Sequence, residues 1–342
     1  MTRNTELTID VHAHVLIPEV EELVSAQEGR RREIEHAIEN TGKESVEHNQ
    51  RLMRTAYMPR LTRVEERVAA MDAMGIDIQA VSISPTQYYS WAGRELAQKL
   101  VVAANAGVAG LCASRPDRFV GMATVSIQHP DLVAGQLGHA VGELGLRGVI
   151  ISTAVDGFEI ADPRYEAFWS KAEELGALVL VHPMGCSLGA RLRQYYLSNI
   201  IGNPTETTVA LAHLIFGGVF DRHPGLKLCA AHGGGYFPFY TGRFDHGWRV
   251  RPEARTCRHP PSEYLKRIWF DSLVYTPQSL EHLIRRAGAG QVMLGTDFPF
   301  DMGVDDPLAR LDAVAGLSAG ERRAILGGNA ARLLKLGAEK PS

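Results

Sequence analysis

The sequence predicts a (β/α)8 barrel, on three observations. Eight short apolar segments alternate with segments of helical spacing along the 342 residues. Most are nearly continuous in Val, Ile, Leu and Ala, the pattern of parallel strands buried on both faces. An isolated His or Asp recurs at the end of several of them, as expected where all strand ends meet at one mouth. The rival doubly wound sheet would carry a Gly-rich phosphate loop after an early strand. No such fingerprint is present there, and Gly233-Gly234-Gly235 matches none.

The elements follow in order. Ile9-Asp10-Val11-His12-Ala13-His14 is the first strand. Residues 17–60 form a charged, poorly periodic insertion with one candidate helix over 19–40, expected over the barrel mouth as a lid or dimer contact, or as a solvated excursion. Val64, Val68 and Met71 then continue a helical face from Leu61, with Gly75 as C-cap. Strands are expected over 77–84, 119–125, 148–152, 177–183, 226–232, 268–271 and 291–297. Helices are expected over 92–114, 130–144, 163–175, 204–216 and 277–287, with a helical tail over 306–336. The whole chain, 1–342, reads as a single barrel domain.

Hydrophobic residues at 45% and charged residues at 22% suit a soluble globular chain. A net charge of −3 gives no reason to expect nucleic acid. No apolar run approaches the roughly 20 residues of a membrane span, and the first six residues lack a leader's apolar core. Cys112, Cys186, Cys229 and Cys257 show no C-x-x-C spacing and read as free thiols, so a cytoplasmic location is the expectation.

Residues two apart on a strand face the same side, so His12 and His14 present two imidazoles to one point. Strand five ends at His182, strand six at His232 and strand eight at Asp297. Singly, each has an ordinary reading, such as a hydrogen-bonded core histidine or a helix-capping aspartate. Together they offer an N/O donor set for a divalent metal, with zinc the natural ion and manganese the alternative. Such a metal lowers the pKa of bound water to about 7 and polarises oxygen. A nearby imidazole exchanges protons at neutral pH. Asp10 reads either as the orienting partner of a ligand imidazole or as a structural carboxylate.

Several stretches carry a family resemblance: Ile9-Asp10-Val11-His12-Ala13-His14, Met71-Asp72-Ala73-Met74-Gly75-Ile76-Asp77, Val181-His182-Pro183, His232-Gly233-Gly234-Gly235, Gly242-Arg243, Phe270-Asp271-Ser272 and Leu294-Gly295-Thr296-Asp297-Phe298-Pro299-Phe300. With these the chain resembles the decarboxylase branch of the amidohydrolase superfamily, typified by 2-amino-3-carboxymuconate-6-semialdehyde decarboxylase. The resemblance implies His12, His14, His182 and Asp297 as metal ligands, and His232 as an acid/base off the metal. It implies one metal, because strand four ends in Ile150-Ile151-Ser152 with no lysine for a bridged pair. It also implies a homodimer in which Arg243 reaches the neighbouring site to hold a substrate carboxylate, and a second arginine in the insertion, for which Arg54 is favoured over Arg51.

The substrate expectation is a small anionic carboxylate. Arg243, Arg249, Arg251, Arg255 and Arg258 suggest it, although such a run also suits a solvated loop or an interface. Trp91, with Tyr88 and Tyr89, would border a planar acid or pack beneath the insertion, and Phe298 and Phe300 allow the same two readings. The expected activity is metal-dependent, non-oxidative decarboxylation of an aromatic or ring-opened unsaturated acid. The alternatives are a hydrolase on the same site, a hydratase, and a barrel that binds without turnover.

Overall fold

The computed structural model describes residues 6–337. Residues 1–5, which bear on the leader expectation, lie outside this range. The barrel strands are β1 (Ile9–Val15), β2 (Ile78–Ile83), β3 (Phe119–Ala123), β4 (Gly148–Ile151), β5 (Leu178–Val181), β6 (Lys227–Ala230), β7 (Ile268–Asp271) and β8 (Val292–Met293), and a short antiparallel pair, Ala154–Val155 with Phe158–Glu159, lies outside the barrel. Each pairs in parallel with the next in chain order. The seam between β8 and β1 is carried by three bonds: Val11 N–H to the Leu294 carbonyl (2.9 Å), Asp297 N–H to that of His12 (2.8 Å) and His14 N–H to that of Phe298 (2.8 Å). Eight parallel strands with helices between them are a TIM-type barrel.

Every residue of β1 is buried. Ile9, Val11, Ala13 and Val15 alternate with Asp10, His12 and His14, so one strand supplies both apolar packing and the polar floor of the mouth. The helix Val64–Met74 ends at Gly75 with φ 73°, the left-handed cap its sequence predicts. The helix Arg94–Ser114 departs from expectation. By length and composition alone it is long and apolar enough to cross a membrane. In the fold it is a barrel helix, seated by Ala97, Leu100, Val101, Ala104 and Val108. Its buried Asn105 donates to the Thr124 carbonyl at 3.0 Å, tying it to the end of β3.

Three other segments differ from the sequence reading. Only Val292 and Met293 of strand eight pair with β7, because the chain then turns along β1 to bring Asp297 over the axis. The insertion is helical almost throughout: Pro18–Val24, Glu28–Thr41, Lys43–Leu52, a π-helical turn at Met53–Tyr57, and Met58–Thr62. Its middle two helices bury no residue. A small cluster of Leu16, Tyr57 and Leu61, joined by Met53 and Phe300, pins its base beside the mouth. Finally, Phe237–Val250 is a helix, so Arg243 and Arg249 sit on a helix and not in a loop.

Candidate metal centre

The strand ends bring His12, His14, His182 and Asp297 together. One ligand atom from each lies within 4.8 Å of all the others, and all four residues are buried. Their hydrogen bonds fix which nitrogen faces inward. His12 Nδ1 lies 2.7 Å from Asp271 Oδ2, and a carboxylate only accepts, so Nδ1 carries a proton and Nε2 points to the centre. His182 Nδ1 donates to the Pro183 carbonyl at 2.7 Å, with the same result. His14 Nδ1 lies 3.3 Å from both the Ile83 carbonyl and Ser82 Oγ. The three Nε2 atoms are buried without an acceptable hydrogen bond. Buried polar atoms are rarely left so, and three of them converging on a carboxylate fit a divalent cation.

Asp297 is the pivot. Its Oδ1 lies 3.3 Å from His12 Nε2 and 3.1 Å from His14 Nε2, and its Oδ2 lies 3.8 Å from His232 Nε2. Burial pushes the Asp297 carboxyl up, but His12, His14 and His232 outweigh it and hold the carboxyl well below its usual range. Burial likewise pushes the His12 imidazole down, yet Asp297 and Asp271 raise it to about 10. Burial dominates at His14 and His182, and both are held below the ordinary histidine value. Without metal the site thus carries a proton on His12 that a cation must displace.

His232 stands apart from the ligand set, facing a chamber of about 430 Å³. It and Asp297 both adopt left-handed backbone conformations, with φ 56° and 59°. For residues other than glycine this costs energy and occurs where surrounding structure enforces it. At His232 the support comes from Asp271 of β7, whose oxygens accept the N–H groups of His232 (2.9 Å), Gly233 (2.7 Å) and Leu273 (3.2 Å) besides His12 Nδ1. Gly233, Gly234 and Gly235 continue the turn, all with positive φ and with no room for a Cβ. Asp271 is the functional residue that sequence reasoning quoted without a role. The signal available was its place at a strand end, as for Asp297.

Asp10 resolves to its structural reading. It accepts the backbone N–H groups of His12 and Thr296, the Thr296 hydroxyl and the Gln79 amide, and touches no ligand ring. Gln79 in turn accepts from the fully buried Arg67, which also donates to the His14 carbonyl.

The expected substrate contacts are not brought to the centre within one chain. Trp91 packs against Gly29, beneath the insertion helix Glu28–Thr41. Phe298 is core, 4.9 Å from the Arg67 guanidinium, and it is Phe300 that lines the mouth. Arg54 and Arg243 are exposed. The insertion instead presents Asn49, Met53 and Tyr57 to a second chamber of about 190 Å³, which adjoins His182 and Asp297.

Comparison with known proteins agrees with this geometry. An amidohydrolase family model (Amidohydro_2) matches residues 9–336. The chain is 36% identical over 276 residues to 2-amino-3-carboxymuconate-6-semialdehyde decarboxylase of Dictyostelium discoideum, covering 80% of this chain and 77% of that one. It is 32% identical to gamma-resorcylate decarboxylase of Rhodococcus jostii, covering 79% and 87%. The crystal structure of 5-carboxyvanillate decarboxylase from Novosphingobium aromaticivorans, complexed with manganese and 4-hydroxy-3-methoxy-5-nitrobenzoic acid, superposes with a TM-score of 0.83 at 24% identity, covering 98% of this chain and 100% of that one. A buried three-histidine, one-aspartate centre at the mouth of a TIM-type barrel, with a matching family model along nearly its whole length, makes this chain a member of the amidohydrolase family.

Proposed function

We propose that the protein is a metal-dependent, non-oxidative decarboxylase of an aromatic or ring-opened unsaturated carboxylic acid. The observation that carries this is the convergence of three unpartnered imidazole nitrogens on Asp297, with His232 beside them facing a substrate-sized chamber. The relatives' carboxy-lyase activities favour it over hydrolysis. His12, His14, His182 and Asp297 hold the cation, which when bound supplies Lewis-acid polarisation of a substrate oxygen. Zinc is the ion favoured by the N3O donor set, and manganese is the competitor.

The chain's own groups do the rest. His232 delivers a proton to the carbon bearing the carboxylate. The bond to the carboxylate carbon breaks, its electron pair returns to the unsaturated system, and CO2 leaves. Asp297 Oδ2 faces His232 Nε2 at 3.8 Å and helps orient the ring. Asp271 holds the His232 backbone so that this approach is fixed before substrate arrives.

A homodimer with Arg243 approaching a neighbouring mouth is the assembly we favour. Tyr236, Phe239 and Tyr240 are exposed apolar groups near Arg243, and such a patch suits a protein interface. The four free cysteines suit a reducing compartment, and a cytoplasmic location is proposed on that ground.

The test is CO2 release from hydroxybenzoates, carboxylated muconate semialdehydes and related ring-cleavage acids, with metal-stripped protein as control. Metal-dependent CO2 is expected from at least one acid. Consumption of acid with uptake of water and no CO2 would overturn the reading in favour of hydrolysis.

A further inference from the structure

Two side chains border both chambers of the mouth and take no part in the fold's hydrogen bonding. Asn199 lies in the π-helical turn Ser198–Gly202, and Asn203 opens the helix Asn203–Phe216 one turn later. Spaced i, i+4, they share a face. Each lines the 430 Å³ chamber beside His232 and also the 190 Å³ chamber beside His182, so the pair stands where the two meet above Asp297. Both residues are half-buried. Neither carboxamide bonds to another described residue, although Tyr57, which lines the same chamber, finds a partner in the Asp301 N–H. A carboxamide offers two donors and an acceptor, and a half-buried pair left open toward a ligand space is positioned to pair with the ligand.

The wall chemistry narrows the ligand. Among the described residues, neither chamber is lined by Lys or Arg, and the second is bordered by Asp301. Apart from the metal centre, His232 and Asp301, the surface offered to a substrate is uncharged: amide, hydroxyl and tyrosine groups among apolar side chains that include Phe239, Phe300, Met53 and Met302. Such a surface offers the hydroxyl groups of a planar ring amide partners from within one chain.

We propose that Asn199 and Asn203 are specificity-determining residues that hydrogen-bond ring hydroxyls beside the substrate carboxylate, so that this chain prefers a hydroxylated aromatic acid to its unhydroxylated counterpart. The ligand class rests on the decarboxylase reading. The chemistry is consistent: an ortho hydroxyl feeds electron density to the carbon that accepts the proton, and an amide oxygen accepting its O–H strengthens that push.

The experiment measures binding of 2,6-dihydroxybenzoate and of benzoate to manganese-loaded protein, with CO2 release followed separately. Wild type should bind the dihydroxy acid at least about 10-fold more tightly than benzoate, since each neutral hydrogen bond is worth about 2- to 12-fold. Asn199→Ala and Asn203→Ala should each weaken the dihydroxy acid by about 5-fold and the double variant by more, with benzoate unchanged. Metal content and circular dichroism check the fold, and Asn199→Asp, which keeps the shape and adds an acceptor charge, provides a second variant. It should repel both acids. A double variant that keeps the wild-type ratio between the acids would overturn the proposal, as would a wild type that binds 2,6-dihydroxybenzoate no more tightly than benzoate. Hydroxyl discrimination that depends on the two asparagines, with no CO2 from any acid, would instead sink the decarboxylase reading and leave the contacts standing.

Discussion

Replacing Asp271 with Asn changes one atom and should damage the metal centre from a distance. All four groups that face this carboxylate are donors: His12 Nδ1 and the His232 N–H at Oδ2, and the Gly233 and Leu273 N–H groups at Oδ1. An amide has only one oxygen. With its NH2 toward His12, the imidazole must become the Nε2–H tautomer, and the lone pair aimed at the metal is lost. With its NH2 toward Gly233, two buried N–H groups lose their acceptor, at about 1–3 kcal/mol each. The first arrangement leaves one backbone donor, the His232 N–H, without its acceptor instead of two, and it weakens the site. Loss of such a partner typically lowers metal affinity 10- to 100-fold, about 1.4–2.8 kcal/mol. Competition between apo-protein and a chromogenic chelator measures this directly, and a thermal melt of the apo form separates it from global stability. Asp271→Asn with wild-type metal affinity would refute the tautomer argument.

Other outcomes follow from the same geometry. His12→Ala and Asp297→Ala should each strip most of the metal from purified protein, read by elemental analysis at about one ion per wild-type chain. His232→Ala should keep the metal and lose about 10²- to 10⁴-fold in turnover, and near-normal turnover would remove it as the acid/base. The apo-protein should lose stability at alkaline pH: because the folded His12 value is raised to about 10, its contribution is complete below about 6.5 and vanishes as pH rises through 10. Metal should abolish that alkaline loss, since it displaces the same proton, and identical melts with pH in both forms would contradict this. Gly295→Ala places a Cβ 2.7 Å from that of Asp271 and 3.1 Å from that of His12, so metal content should fall even though no ligand has changed.

What the sequence made legible was whatever local pattern dictates. β3 to β5 are apolar runs, and burial on both faces leaves them little choice of identity. The alternation within β1 likewise put His12 and His14 on one side. The metal ligands needed only the further rule that parallel strands end at one mouth. The helices Glu28–Thr41 and Lys43–Leu52 were less readable because they bury nothing and so carry no apolar stripe. Phe237–Val250 hid behind two internal glycines and an early proline. Asp271 lacked a role because its partners come from three separate stretches of chain, 9–15, 232–233 and 273. Trp91 and Phe298 are aromatics whose direction only tertiary packing decides, and Arg243 is exposed on a helix with no role that a single chain assigns it.

The seam between β8 and β1 has a consequence for how the enzyme acquires its ion. The ligands run from His12 to Asp297, and Asp297 reaches the axis only when its N–H bonds the His12 carbonyl. Nothing shorter than most of the chain holds the complete set. During synthesis the two N-terminal histidines emerge long before their carboxylate and must wait for the last strand to arrive. Metallation is therefore a checkpoint on finished molecules: it rewards closure of the barrel, and removal of the ion loosens first the place where the chain's two ends are sewn together.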